Sequence, residues 1–193
     1  MSTPTIPVET HPWPPYIPAG ARALIMGTFP PGPHRWSMEF YYPNRNNDFW
    51  RVMGLLYLGD PLALYDKTAR TYRMEQIKEL LDTHHIALGD TGHRVRRLEG
   101  NAADKSLEIV EPVDLDALLA RMPDCRAVAT TGEKAAGVVA ALTGTPAPRM
   151  GECVPGPRGI GIWRMPSTSR AYPLALDRKA GYYATMLRAA GCL

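Results

Sequence analysis

The chain has 193 residues, which is long enough to form a hydrophobic core and is the usual length of one domain. Its net charge of +3 is compatible with a polyanionic partner without requiring one. No apolar run approaches the roughly 18 residues of a membrane-spanning helix, and the N-terminus lacks the pattern of a signal peptide, so we expect a cytoplasmic protein without a membrane partner. The three cysteines are scattered without a CxxC spacing, so neither a metal site nor a cluster is predicted.

The predicted elements alternate between strands and helices. Residues 1–20 are rich in proline and are expected to lie extended over a single domain of residues 1–193. Short apolar runs predict four buried strands, and amphipathic or capped segments predict five helices. The strands are ARALIMG, HIALGD, RAVATT and IGIWRM, and the helices are NDFWRVMGLLYL, YRMEQIKELLDTHH, DLDALLARM, GEKAAGVVAAL and DRKAGYYATMLRAA.

This alternation predicts an α/β fold, a three-layer α/β/α arrangement around a central four-stranded parallel sheet. The stretches TGHRVRRLEGNAADKS and TGTPAPRMGECVPGPRG are predicted as a polar stretch and a loop. Because ligands of such folds bind beyond the carboxyl ends of the strands, the loops after Met26, Leu88 and Met165 are the candidate site.

The loop after Met26 begins the stretch GTFPPGPHRWSMEFYYPNRNNDFW. Gly27 lets backbone amides approach a ligand closely, and Pro30 and Pro31 fix the backbone in advance. The phosphate-binding pattern GxxxxGK[ST] is absent. The stretch predicts either a preorganised ligand loop or a rigid connection without a site.

Three aromatic residues follow in the same stretch, Phe40, Tyr41 and Tyr42. Aromatic side chains on a loop can stack on a planar ligand such as a base, although burial in the core is their commoner fate. We expect at least one of the three in the core.

Three amides come next, Asn44, Asn46 and Asn47. An amide offers both donors and an acceptor, so it can read a base edge or hold a water molecule. The alternative is that Asn47 caps the following helix and Asn44 forms a turn.

Two further segments carry polar or charged groups. MPSTSR places three hydroxyls next to Arg170, a combination that can bind a phosphate, with an ST-turn before the last helix as the alternative. HRVRRLEG is basic, and it is either a solvated face or a patch that contacts a nucleic-acid backbone.

Taken together, these segments resemble the uracil-DNA glycosylase superfamily and are most similar to its branch of hypoxanthine-DNA and mismatch-specific uracil/thymine-DNA glycosylases. HPWPPYIPAGARALIMGTFPPG is similar to the first strand and first motif of that family, YYPNRNNDFW to its aromatic and asparagine segment, and MPSTSR to its second motif. HIALGDTG and RAVATTGEKAA resemble its second and third strands. The motifs occur in the same order over most of the chain.

The resemblance implies a monofunctional DNA glycosylase of base excision repair that flips out a deaminated base, uracil or hypoxanthine, and hydrolyses its N-glycosidic bond. It implies DNA as the partner, a monomer, and no metal or other cofactor. The implied base-binding residues are Gly27, Thr28, Phe29, Pro30, and Tyr41 or Tyr42. Asn47 or Asn44 is implied to position the attacking water. The implied DNA-binding residues are Ser167, Thr168, Ser169 and Arg170, with Arg170 or Tyr172 filling the gap in the stack and Lys134 as a further phosphate contact.

Two positions differ from the family pattern. Phe29 stands where superfamily members commonly carry Asp or Asn, and Met165 stands where classical uracil enzymes carry His. Two alternatives therefore remain open: a nucleic-acid-binding protein of the same fold without catalysis, and a hydrolase of small nucleosides or other N-glycosides.

Overall fold

The structure of the chain, a computed structural model, describes residues 6–99 and 106–193. The predictions for residues 1–5 and for residues 100–105 of the polar stretch lie outside the described residues. The helices in the described ranges are α1 Phe49–Leu58, α2 Met74–Thr83, α3 Leu115–Ala120, α4 Glu133–Thr143 and α5 Leu176–Ala190. Each coincides with a helix predicted from the sequence. None of the helices in this part of the chain has the length and apolarity to cross a membrane.

Ten strands lie in the same ranges. They are β1 Glu9–Thr10, β2 Ala23–Gly27, β3 Tyr65–Asp66, β4 Thr71–Tyr72, β5 Ile86–Asp90, β6 Gly92–Arg97, β7 Leu107–Pro112, β8 Ala127–Thr131, β9 Cys153–Pro155 and β10 Gly161–Met165. β3 and β4 form a small hairpin between α1 and α2.

The central sheet has the order β5-β2-β8-β10-β9. β5, β2, β8 and β10 are parallel, as predicted, while β9 pairs antiparallel with β10 at one edge. The prediction of a four-stranded central sheet is therefore corrected to five strands, of which four are parallel. β9 was not predicted, because its three residues lie between glycines and prolines and lack an apolar run.

Helices cover both faces of this sheet. Side chains alternate between the faces along a strand, and Ala23 and Ile25 of β2 pack in the cluster that contains residues of α1, α2 and α5. Leu24 and Met26 pack in the cluster that contains residues of α3 and α4. The three-layer part of the prediction is confirmed.

A second sheet is antiparallel, with the order β1-β6-β7. Its central strand, β6, is formed by the basic stretch HRVRRLEG, which the sequence placed in a loop. Each arginine of β6 forms an ion pair with a glutamate; the pairs are Arg94–Glu111 at 3.5 Å, Arg96–Glu108 at 3.3 Å and Arg97–Glu9 at 2.9 Å. The charges of these arginines are therefore balanced by glutamates within the sheet.

The N-terminal segment from residue 6 onward runs along the edges of both sheets. β1 pairs with β6, and Tyr16 exchanges two backbone hydrogen bonds of 2.9 Å with Leu88 of β5. Between these two points lies His11, whose backbone N–H donates to the carbonyl of His93. The segment therefore carries His11 to the carboxyl end of β5.

Candidate active site

A cavity of about 470 Å³ opens where the loops after the parallel strands converge. The sheet register places Gly27 of β2 opposite Asp90 of β5, and Met165 of β10 opposite Thr131 of β8. The ends of β2, β5 and β8, the segment before α1 and the loop after β10 all contribute to the lining. A cavity of this size is in the range of small-molecule sites in proteins.

Most of the residues predicted from the sequence meet in this cavity. Those that line it are Gly27, Thr28, Phe29, Pro30, Tyr42, Asn44, Asn46, Asn47, Ser167, Thr168 and Ser169. Tyr41, Arg170 and Lys134 are not part of its lining, and their places are described below.

Gly27 leaves room at the floor of the cavity. A β-carbon at this position would lie 2.6 Å from Oδ1 of Asp90, and in ordinary van der Waals contact with Tyr42 Oη and Thr131 Oγ1. The absence of a side chain at Gly27 is therefore what lets the Asp90 carboxylate approach this point.

The loop after β2 is fixed by backbone hydrogen bonds. The carbonyls of Gly27 and Thr28 accept 2.9 Å hydrogen bonds from the N–H groups of Thr91 and Gly92. Within the described part of the chain, the N–H groups of Thr28 and Phe29 donate to no backbone carbonyl. Since both residues line the cavity, their N–H groups are candidate donors to a bound ligand.

Phe29 is held as an aromatic wall of the cavity. Its ring meets the ring of His11 edge to face at 5.3 Å, and the guanidinium of Arg97 lies 5.4 Å from its centroid. Arg97 also donates to the carbonyl of Pro30, which ties the loop to β6. The residue that replaces an expected Asp or Asn is thus packed in place.

Asp90 is a cavity residue that sequence reasoning missed. Its Oδ2 lies 2.9 Å from Nε2 of His11, and both side chains are almost fully buried. His11 is oriented in turn by Trp13, whose carbonyl lies 2.7 Å from Nδ1. Because His11 engages Oδ2, the other oxygen, Oδ1, is the one that lies over Gly27 on the cavity side. The available signal was an acidic residue at the end of the strand HIALGD.

The two adjacent tyrosines separate. Tyr41 is 2% exposed, and its hydroxyl donates to the carbonyl of Pro14. Its ring stacks on His11 at 5.5 Å, so it contacts a residue that orients Asp90 and does not line the cavity itself. Burial raises the pKa of the Tyr41 phenol well above its usual value, which keeps it protonated as a donor. Tyr42 adopts a positive φ of 53°, stacks on Phe49 at 3.8 Å and lines the cavity.

The predicted turn at Asn44 is present, whereas the N-cap of α1 is Asp48 and not Asn47. Oδ1 of Asn44 accepts from the N–H of Asn46 at 2.9 Å, which forms a turn, and Oδ1 of Asn47 accepts from the N–H of Phe49 at 2.8 Å at the start of α1. An amide oxygen has two lone pairs and the NH₂ group two donors. Both side chains therefore retain hydrogen-bonding capacity while they line the cavity.

The loop after β10 is anchored to the segment before α1. The N–H of Asp48 donates to the carbonyl of Thr168 at 2.7 Å, and Asn47 forms an isolated bridge with Ser169. The N–H of Ser169 donates to Oγ of Ser167, so the predicted ST-turn is present. These contacts join the two sequence motifs in one cavity wall.

Asp48 pairs with three cations beneath this wall. Its carboxylate lies 3.0 Å from Lys179, 2.9 Å from Arg51 and 3.3 Å from Arg170. Burial alone raises the pKa of Asp48, but hydrogen bonds and charge from Lys179 and Arg51 outweigh it and hold the pKa below its usual value. Lys179, itself 1% exposed, also donates to the carbonyl of Ser169.

The remaining predicted DNA contacts lie next to the cavity. Arg170 donates to Asp48 and to the carbonyl of Arg45. Lys134, at the start of α4, donates to the carbonyl of Leu107 and lines a separate cavity of about 420 Å³ that shares Ser167 with the first one. In residues 6–99 and 106–193, no group of three or more His, Cys, Asp or Glu side chains is placed to hold a metal ion.

Comparisons with known proteins establish the fold. No protein-family model matches the sequence, and no curated protein matches it. The chain is similar to the solution NMR structure of a protein from Methanosarcina acetivorans that is provisionally named a uracil DNA glycosylase, with a TM-score of 0.66 and 22% identity. The match covers 94% of this chain and 98% of that one, so the two proteins share one fold over nearly their whole lengths.

Proposed function

We propose that the protein is a monofunctional DNA glycosylase that extrudes a deaminated base, uracil or hypoxanthine, and hydrolyses its N-glycosidic bond in base excision repair. The observation that carries this proposal is the meeting of two distant motifs and Asp90 in one cavity at the carboxyl ends of the parallel strands. The shared fold with a protein provisionally named a uracil DNA glycosylase supports it. We further propose that the protein acts as a monomer and without a cofactor.

The cavity suits an extruded base. A base within a duplex is out of reach of any active site, so it must first be flipped into a pocket, at a cost of roughly a few kcal/mol. Tyr42 and Phe29 supply aromatic surfaces against which a planar base can stack. Their positions are fixed by Phe49 and by Arg97, so little ordering is required on binding.

Asp90 offers a means of selecting deaminated bases. A carboxylate accepts hydrogen bonds only, and it therefore favours a base whose ring nitrogen carries a hydrogen at the facing edge. Deamination of cytosine or adenine converts such an acceptor nitrogen into an N–H donor. With Oδ2 held by His11, Oδ1 at the cavity floor is positioned to accept from that N–H.

The chemistry requires stabilisation of the leaving base and a placed water. Breaking the N-glycosidic bond builds negative charge on the base, which the N–H groups of Thr28 and Phe29 would stabilise. An amide at Asn47 or Asn44 would orient the attacking water, which suffices when bond breaking precedes attack. Ser167 and Ser169 would bind the phosphates next to the extruded nucleotide.

The test is a panel of oligonucleotides with uracil, hypoxanthine, xanthine or mismatched thymine, in single and double strands. We expect release of free base from at least one deaminated substrate and none from undamaged DNA. Tight binding without release would instead identify a nucleic-acid-binding protein. Hydrolysis of free deoxyuridine or deoxyinosine, but not of DNA, would identify a nucleoside hydrolase.

A further inference from the structure

A second cavity, of about 310 Å³, adjoins the candidate active site and takes no part in the reaction proposed above. It lies between the start of α1, the β3–β4 hairpin and Arg170. Asn46 lines both cavities, and Arg170 directly follows Ser169, which lines the first one. A DNA strand whose base enters the first cavity would therefore pass the second cavity with its neighbouring nucleotide on one side of that base.

The second cavity is cationic. Arg45, Arg51, Lys67 and Arg170 line it, and none of its lining residues, all within the described ranges, is acidic. Arg51 and Arg170 share the carboxylate of Asp48 beneath the cavity. Arg45 and Lys67 are exposed and form no ion pair with the residues that the structure describes. Their charges are left for an anion from outside the chain.

The wall of the same cavity is aromatic. Trp50, Tyr65 and Tyr72 contribute to the lining, and Trp50 and Tyr72 are more deeply buried than Tyr65, at 1% and 5% exposure. Tyr65 is half-buried and meets Tyr72 edge to face at 5.2 Å, which fixes the ring in place. A group that combines a phosphate with a flat ring matches both the charge and the surface, and that combination is a nucleotide.

We propose that this second cavity is a subsite for the nucleotide next to the extruded one on the same DNA strand. Its phosphate binds Arg45 and Lys67, and its base stacks on Tyr65. The inference rests on the proposed function, because it takes the first cavity as the place of the extruded nucleotide. It adds two determinants of binding, Tyr65 and Lys67, that lie outside the segments in which the sequence resemblance was found.

The arrangement around the active site favours a continuous strand over a free nucleotide. The first cavity also shares Ser167 with the third cavity, which is lined by Lys134 and by the ion pair of Arg164 with Glu133. The base cavity thus shares a lining residue with the cationic second cavity and with a third cavity of mixed charge. A polyanionic strand can contact several adjoining cavities, whereas a mononucleotide occupies one.

The test measures binding of single strands that carry a tetrahydrofuran abasic site, which cannot be cleaved by base release. One strand has four nucleotides on each side of the site, and two others have them on one side only. For the wild type, removal of one flank, but not the other, is expected to weaken binding about tenfold, because that flank supplies the phosphate and the stacking base. The double variant Arg45→Gln/Lys67→Gln is expected to bind the full strand about tenfold more weakly and to be insensitive to removal of that flank.

The matched control is Lys78→Gln/Arg121→Gln, which removes the same two types of charge at positions that line none of the three cavities. It should retain the wild-type response to both truncations. In the Arg45→Gln/Lys67→Gln protein, the slope of log K against log salt should be shallower by about 0.7 for each phosphate that the variant no longer neutralises. Arg45 holds Arg170 through its backbone carbonyl, so this substitution leaves that hydrogen bond in place.

Equal truncation penalties in the wild type and the double variant would overturn the subsite. Binding of deoxythymidine monophosphate as tight as that of the full strand, and equally sensitive to the double variant, would assign the cavity to a free nucleotide and overturn it as well. Base release is measured separately on the panel of substrates. If the flank effect is present but no substrate releases base, the subsite stands and the glycosylase proposal fails.

Discussion

Nε2 of His11 lies 2.9 Å from Oδ2 of Asp90, a contact that joins the N-terminal segment to the end of β5 across 79 residues of chain. Tyr41 stacks on the imidazole and Trp13 hydrogen-bonds to it, so the histidine is fixed from three sides. The consequence is a carboxylate held with one oxygen toward the cavity.

Asp90→Asn tests whether this carboxylate selects the base. An amide offers a donor as well as an acceptor, so the variant should lose its preference for a ring N–H. We expect base release from the preferred deaminated substrate to fall about 100-fold, in the range found when a positioned hydrogen-bonding group is removed from an active site. Single-turnover rates on uracil, hypoxanthine, cytosine and adenine substrates measure both the rate and the preference.

His11→Gln is the companion variant. It leaves Asp90 in the cavity but removes the ring that orients it, so a smaller loss, about tenfold, is expected with the base preference kept. An Asp90→Asn protein that releases base at the wild-type rate with unchanged preference would exclude Asp90 from recognition.

Asn47→Ala and Asn44→Ala are expected to differ sharply in activity. Asn47 is held on both sides, because its N–H donates to Asn44 and it bridges to Ser169 of the second motif. It is therefore better placed to hold a water, and its replacement by alanine should lower base release about 100-fold, against tenfold or less for Asn44. Loss of the hydrogen bond that Oδ1 of Asn47 accepts from the N–H of Phe49 should also lower the free energy of unfolding by about 1 kcal/mol.

Asn47→Asp separates these two effects. An aspartate side chain can accept the same hydrogen bond from the N–H of Phe49, so the free energy of unfolding should stay near the wild-type value while base release changes. Thermal unfolding and single-turnover assays on the same preparations measure the two quantities. Wild-type release by both alanine variants would show that neither asparagine holds the water.

Gly27→Ala should close the floor of the cavity. The new methyl group would lie 2.6 Å from Asp90 Oδ1, too close for any packed β-carbon, so the carboxylate must move. Displacement of the Asp90 carboxylate should lower the rate of base release on the order of 100-fold. The quantity to measure is kcat/KM for base release. Gly137→Ala is the control, because nothing lies within 4 Å of that added carbon on α4. Equal activity of the two variants would show that the space at Gly27 is unused.

The elements of the fold follow largely from local sequence, whereas the cavity depends on contacts that no local pattern contains. The four parallel strands and five helices have clear apolar runs or caps, and Asp114 caps α3 as its position indicates. β6 was mistaken for a loop because its inward residue, Val95, is one apolar side chain among arginines. Its partners β1 and β7 make it a strand.

The residues of the candidate site divide in the same way between local sequence patterns and distant contacts. The motifs around Gly27, Asn47 and Ser167 are visible in the sequence, and they do meet in one cavity. Which of two adjacent tyrosines faces that cavity depends on the positive φ of Tyr42, which the sequence does not determine. Asp90 is visible in the sequence as an acidic residue at the end of a strand, but its contact with His11, 79 residues away, is formed only by the fold.

Asp48→Asn probes the buried charges that join α1 to the loop after β10. Removing this carboxylate leaves Lys179 buried without its counter-ion, and at pH 7 we expect the free energy of unfolding to fall by roughly 3 kcal/mol. The folded protein lowers the pKa of Asp48 below the value of about 3.9 that an unfolded Asp has. The unfolded state therefore takes up the proton first as pH falls.

It follows that the stability Asp48 contributes is complete above about pH 4 and is lost as pH falls through its lower, folded pKa. The difference in free energy of unfolding between the wild type and Asp48→Asn should accordingly shrink below pH 4. Urea unfolding at pH 7, 5, 4, 3 and 2.5 measures that difference. Asp124→Asn, which replaces an exposed aspartate without an ion pair among the described residues, should show a small effect at every pH. A difference for Asp48→Asn that stays constant down to pH 2.5 would mean that the three cations do not stabilise its charged form.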